Sequence, residues 1–96
     1  MIRIVLVGTK GEDLDLFLSM ANGSKSLNVV GVFGNGQEAA QHLLALGADW
    51  KVFADQVACE DTSPEVGGVE LLTTLRESGV QIPLLFCPVA DLVRYL

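Results

Sequence analysis

A glycine-rich turn with one lysine follows the first apolar segment of the chain, and it is the first candidate for a ligand-binding site. The segment 2–7 (Ile-Arg-Ile-Val-Leu-Val) runs into Gly8-Thr9-Lys10-Gly11. Ligands gather at the carboxyl ends of the strands of an open α/β sheet, and a helix N-terminus can bind an anion there. The turn lacks the glycine and lysine spacing of a phosphate-binding loop. We therefore expect a tight turn, with a small-molecule site near Gly8, Thr9 and Gly34 as an alternative.

Other residue types that carry chemistry are sparse. Cys59 and Cys87 have no metal-type spacing, and we expect them to be reduced thiols in structural positions. The single histidine, His42, stands among polar residues of a helical stretch and is expected at the surface. The acids at 60, 61 and 65 are typical of a solvated loop. No cofactor and no metal site is predicted.

Composition narrows the possible function classes. The chain has 96 residues, which is the size of one domain, and half of them are hydrophobic. A net charge of −6 disfavours direct contact with nucleic acid, because phosphate backbones repel an acidic surface. The apolar runs are far shorter than the ~20 residues that cross a bilayer, and too short for a signal peptide. We expect a cytoplasmic protein with no membrane contact.

The elements that must position these residues alternate between strand and helix. Strands are predicted at 2–7, 27–33, 50–54 and 82–87. Helices are predicted from 12 or 13 to 21, from Asn35 as N-cap to 46, and around 69–75 with Val69, Leu72 and Leu75 on one face. The stretch 55–68 is predicted as a long loop, and Asp91 as the cap of a last helix. This alternation predicts an α/β fold with a mainly parallel sheet.

Several segments resemble the receiver domain of bacterial response regulators, the CheY-like family of two-component signalling. The resemblance rests on segments 1–7, 29–31, 34–39, 68–76 and 79–83, and it covers nearly the whole chain. It implies a flavodoxin-like, three-layer sandwich. The parallel sheet would have the order 2-1-3-4, truncated to about four strands, so that residues 1–96 form a single domain that lacks the final strand and helix.

The active site of the family is degenerate in this chain. Receivers hold Mg²⁺ with two acids after the first strand, where this chain has Gly8 and Thr9. The phosphoacceptor aspartate at the end of the third strand matches Ala54, and the Thr or Ser after the fourth strand matches Pro88. Mg²⁺ requires oxygen ligands, usually one or two carboxylates. The resemblance therefore implies a pseudo-receiver that is not an enzyme.

One residue keeps a phosphoacceptor alternative open. Asp55 lies one position after Ala54, and a slip of one residue would bring it to the acceptor position. Glu12 or Asp13 would then supply a metal contact. The competing interpretation is that Asp55 begins a loop or caps a turn.

A sheet that ends with the fourth strand has an apolar edge. Without a fifth strand, the fourth lies at the edge with neither lysine nor a bulge to protect it, and such edges pair with other chains. The expected interface is formed by Leu84, Leu85, Phe86, Leu92, Val93, Tyr95 and Leu96. We expect a homodimer or a partner protein domain.

These observations favour a non-catalytic signalling domain that acts through protein–protein interaction or dimerisation within a larger regulatory or localisation protein. Degenerate receivers precede the ATPase domain of CpaE/TadZ-type pilus-assembly proteins and also occur in atypical transcription regulators. The long loop 55–68 is a second candidate surface.

Overall fold

The computed structural model of the chain describes residues 2–8, 11–60, 67–87 and 91. The strands are β1 (Ile2–Val7), β2 (Leu27–Phe33), β3 (Gln56–Cys59) and β4 (Leu84–Phe86). The helices are α1 (Gly11–Asn22), α2 (Gly36–Leu46), α3 (Trp50–Phe53) and α4 (Gly68–Glu77), and a 3-10 turn at Gly47–Asp49 joins α2 to α3.

The four strands form one parallel sheet in the order β2-β1-β3-β4. This α/β architecture is consistent with a flavodoxin-like fold, and it confirms the predicted fold class and strand order. The bounds of β1 and β2 agree with the predicted strands. Parallel neighbours need crossover connections, which α1, α2 and α4 provide.

Helices cover both faces of the sheet, because successive side chains of each strand point to opposite sides. One core lies under α2 and α4 and consists of Val5, Val7, Ala39, Ala40, Leu43, Ala54, Val57, Cys59, Leu71, Leu75, Val80 and Ile82. The other core lies under α1 and consists of Ile4, Leu6, Phe17, Ala21, Leu27 and Ala58. The interior strands are apolar on both faces, as a sheet covered on both sides requires.

The predicted third strand is wrong. Residues 50–53 form the short helix α3, and Ala54 is a buried residue between α3 and β3. The true third strand lies within the stretch 55–68 that was predicted as a loop. Periodicity cannot separate a short buried strand from a helical turn, and here the Ala54 N–H donates to the Trp50 carbonyl (3.0 Å), which closes a helical turn.

Two further elements differ in detail from expectation. Strand β4 has three residues, shorter than the predicted 82–87, although the Pro83 carbonyl still accepts from the Val57 N–H (2.9 Å). In α4 the buried pair is Leu71 and Leu75, whereas Val69 is 55% exposed. Because α4 begins at Gly68, Val69 falls on the outer side of the first turn.

Candidate functional site

Backbone hydrogen bonds between neighbouring strands extend to the carboxyl end of the sheet. The N–H of Gly8 donates to the Phe33 carbonyl (2.9 Å), and the N–H of Glu60 donates to the Val7 carbonyl (2.9 Å). Gly8 has φ +86°, a left-handed conformation that glycine adopts without steric cost. Gly8 therefore lies at the end of β1 as expected, while Thr9 is outside the described residues.

A cap joins β2 to α2 at the same end. The Asn35 side chain accepts from the Glu38 N–H (2.9 Å), and the Glu38 carboxylate accepts from the Gly34 N–H (3.1 Å). Asn35 thus satisfies one of the unpaired donors of the helix start, as predicted. The Glu38 carboxylate is held by the turn, and it also suits the positive end of the helix dipole.

Asp55 lies at the opposite, amino end of the sheet. Its carboxylate accepts from the Arg3 backbone N–H (2.9 Å) and from Nε (3.2 Å) and Nη2 (3.0 Å) of the Arg3 guanidinium. The Asp55 N–H returns a hydrogen bond to the Arg3 carbonyl (2.8 Å). The same guanidinium donates to the carbonyls of Lys51 (2.8 Å) and Val52. One arginine therefore joins β1, the end of α3 and the start of β3.

The electrostatics of this pair favour the ionised carboxylate. The Arg3 side chain, helped by its backbone N–H, lowers the pKa of Asp55 from 3.8 to about 2. The side chains are 34% and 46% exposed, so solvent screens the pair. Because donors from both the backbone and the guanidinium of Arg3 bind the Asp55 carboxylate, we interpret this ion pair as a structural contact.

The structure does not bring Asp55 to the residues that were expected to share a metal ion with it. Glu12 and Asp13 are exposed in the first turn of α1, beyond the carboxyl end of β1. The Arg3 position that binds Asp55 is five residues from Gly8, or roughly 16 Å along a strand. Among the described residues, no group of three or more His, Cys, Asp or Glu could hold a metal ion.

The carboxylate that follows β3 is that of Glu60, a residue expected from the sequence to lie in a solvated loop. Because β3 ends at Cys59, Glu60 is half-buried at the carboxyl end of the sheet, whereas Ala54 lies before the strand. The signal in the sequence was the apolar run at 57–59, directly followed by a polar stretch with Pro64. Asp61 and Pro88 lie outside the described residues.

The two cysteines are thiols at the carboxyl ends of two adjacent strands, Cys59 as the last residue of β3 and Cys87 directly after β4, and they pack in different cores. Cys59 is fully buried under α2 and α4, whereas Cys87 packs on the side of α1. The Cys87 N–H donates to the Cys59 carbonyl (3.0 Å). Burial, followed by the proximity of Cys87, raises the pKa of Cys59 to about 11. Cys59 is therefore protonated and a poor nucleophile.

The expected interface is described only in part. Leu84, Leu85 and Phe86 form β4, which is the last strand of the sheet in the described part of the chain, and all three are half-buried. The remaining four residues, Leu92, Val93, Tyr95 and Leu96, lie outside the described residues. His42 is at the surface as expected, where its ring contacts those of Phe33 (5.3 Å between centroids) and Phe53 (4.9 Å).

Comparisons with family models, curated proteins and solved structures find no match to this chain. Within the described residues, no helix is both long enough and apolar enough to span a bilayer.

Proposed function

We propose that this chain is a non-catalytic, receiver-like interaction domain that associates with a second copy of itself through β4. The domain would belong to a larger cytoplasmic regulatory or localisation protein, of which the CpaE/TadZ type is one example. It would act through its surfaces rather than through phosphoryl transfer.

The position of Asp55 is the observation that carries the non-catalytic assignment. A phosphoacceptor must be open to a donor and to a metal ion that neutralises developing charge. Asp55 instead lies at the amino end of β3, where three Arg3 donors occupy its oxygens. The phosphoacceptor alternative would require Asp55 to leave this ion pair.

Mass spectrometry after incubation with acetyl phosphate and Mg²⁺ tests this assignment. We expect no stable addition of a phosphoryl group to the wild-type chain. A labelled product that disappears in Asp55→Asn would reinstate the phosphoacceptor alternative. A product that persists in Asp55→Asn would place an acceptor elsewhere and would also contradict the proposal.

Strand β4 offers the pairing surface. Its hydrogen bonds to β3 include those of the Pro83 carbonyl and the Cys87 N–H, one at each end of the strand. Since backbone groups alternate in direction along a strand, the N–H and C=O groups of Leu84 and Phe86 point away from β3. Residues 82–87 carry no charge, so two copies of this acidic chain can approach there without placing like charges opposite each other.

Strand β2, which lies at the opposite edge of the sheet in the described part of the chain, is less suited to the same role. Its pairing with β1 shifts register between Ile4 and Val5, which leaves Val30 as the additional residue. Such a bulge is one of the devices that prevent edge-to-edge pairing. The pairing of β4 with β3 has a regular register. This difference supports β4 as the contact edge.

Matched lysine substitutions on the two edges test the surface. We expect sedimentation equilibrium of the wild-type chain to show a dimer, Leu85→Lys to shift it to monomer, and Val29→Lys on β2 to leave the dimer intact. Leu85 and Val29 are both half-buried against the core under α1. Both variants add the same charge to an edge strand, and circular dichroism checks that each is folded. Monomer alone at high micromolar concentration would reject self-association. Equal effects of both variants would reject β4 as the edge.

A further inference from the structure

Two Asn-Gly pairs occupy opposite kinds of helix terminus in this molecule. Asn22-Gly23 ends α1, and Asn35-Gly36 begins α2. In such a pair the backbone nitrogen of the glycine can attack the side-chain amide carbon of the asparagine, since glycine has no side chain to hinder the approach. The structure around each pair decides whether this attack occurs.

The Asn22-Gly23 pair is accessible to this reaction. Both residues are exposed, and a Cβ built on Gly23 would meet only the Met20 carbonyl, at 3.7 Å. The Gly23 N–H is held by a long hydrogen bond of 3.2 Å to that same carbonyl. Helix ends open at little free-energy cost, and this opening releases the attacking nitrogen.

Hydrogen bonding and packing fix the conformation of the Asn35-Gly36 pair. The Asn35 Oδ1 accepts from the Glu38 N–H at 2.9 Å, which fixes the side chain over the start of α2. Gly36 is buried and packs closely against Gly67 at the start of α4. A Cβ built on Gly67 would lie 3.8 Å from the Gly36 backbone. Attack on Asn35 therefore requires loss of the cap and movement of a packed turn.

We propose that Asn22 is a site of spontaneous deamidation and isoaspartate formation, and that the cap protects Asn35. The Gly23 nitrogen bonds to Cγ of Asn22, the Cγ–Nδ2 bond breaks, and ammonia leaves with the former Gly23 proton. Water then opens the succinimide at one of its two carbonyls, giving aspartate or isoaspartate. Either product places a negative charge at the end of α1, where the last turn has no basic residue and the helix dipole disfavours an anion.

The test compares both sites within one sample. Folded protein is aged at mildly alkaline pH, and peptide mapping by mass spectrometry with isoaspartyl methyltransferase labelling follows each asparagine. We expect Asn22 to react roughly fivefold faster than Asn35. This is the ratio of rates that corresponds to the free energy of one N-cap hydrogen bond, which must be lost before Asn35 can react. Gly23→Ala, which the open space tolerates, should suppress the reaction at Asn22 only.

Ageing in concentrated urea separates structure from sequence. We expect the two rates to become similar when the chain is unfolded. An Asn35 rate equal to or above that of Asn22 in the folded protein would overturn the proposal. An unreactive Asn22 in the folded protein, or a difference that persists in urea, would overturn it as well.

Discussion

The two ends of the sheet are organised by different chemistry. At the amino end, one ion pair between Arg3 and Asp55 joins β1, α3 and β3, and its partners are 52 residues apart in sequence. At the carboxyl end, the described contacts are mostly backbone hydrogen bonds at Gly8 and Glu60, together with the local cap at Asn35. In an open α/β sheet the carboxyl end is the usual site of chemistry. Here the carboxylate that Arg3 binds, Asp55, lies at the other end and has a structural role.

The largest effect is expected at Gly8, on the carboxyl end. Gly8→Ala forces a side chain into φ +86° and should lower the free energy of unfolding by about 1–2 kcal/mol, the cost of the left-handed conformation for an L-residue. Urea denaturation would measure it. Gly23→Ala, at a glycine outside the left-handed region, is the matched control. An equal effect of the two substitutions would contradict the strain argument.

A somewhat smaller effect is expected from the cap. Asn35→Ala removes the acceptor of the Glu38 N–H and should cost about 1 kcal/mol of stability, whereas Asn35→Asp keeps an acceptor and should cost little. Thermal denaturation of the two variants would compare them. If Asn35→Asp were as unstable as Asn35→Ala, the cap would not be the reason.

At the amino end, the effect depends on pH. The folded pKa of Asp55 is about 2, below its usual 3.8, so the ion pair stabilises the fold above pH 3.8 and this stabilisation is lost as the pH falls towards 2. Asp55→Asn should therefore flatten the stability profile in this acid window. Urea denaturation across that range would test it, with Glu70→Asn on the exposed face of α4 as control. An unchanged profile in Asp55→Asn would contradict the assignment.

The smallest effect is expected from Arg3→Lys. A lysine keeps the charge but cannot reach the Asp55 oxygens and the carbonyls of Lys51 and Val52 together. Because the pair is partly exposed, global stability should change little. Hydrogen exchange of the α3 amides should nevertheless become faster. If exchange in α3 did not change, the guanidinium would not be the group that holds α3 in place.

The sequence predictions were correct where the structure depends on interactions between residues close in sequence, and they failed where it depends on distant residues. The bounds of β1 and β2, the cap at Asn35 and the end of α2 at Gly47 were all correct. Each depends on the period of apolar residues or on a hydrogen bond within a few positions. The third strand was wrong, because two short apolar runs, at 50–54 and 57–59, competed for one place in the sheet.

The wrong position of the third strand also misplaced the candidate site. With the strand placed at 50–54, Ala54 and Asp55 were expected at the carboxyl end, and Glu60 was expected in a solvated loop. With β3 at 56–59, Asp55 moves to the amino end and Glu60 follows the strand. A shift of a few residues in one strand thus moved the candidate carboxylate to the other end of the sheet.

The sequence by itself determined the α/β class, the bounds of β1 and β2 and the cap of α2 at Asn35, since period and capping act over short distances along the chain. The order of the strands was implied only by the resemblance to receiver domains. Only the tertiary structure decided which apolar run pairs with β1 and which charge Asp55 meets. The reason is that strand pairing and the ion pair with Arg3 join residues some fifty positions apart, and no local pattern encodes such a contact.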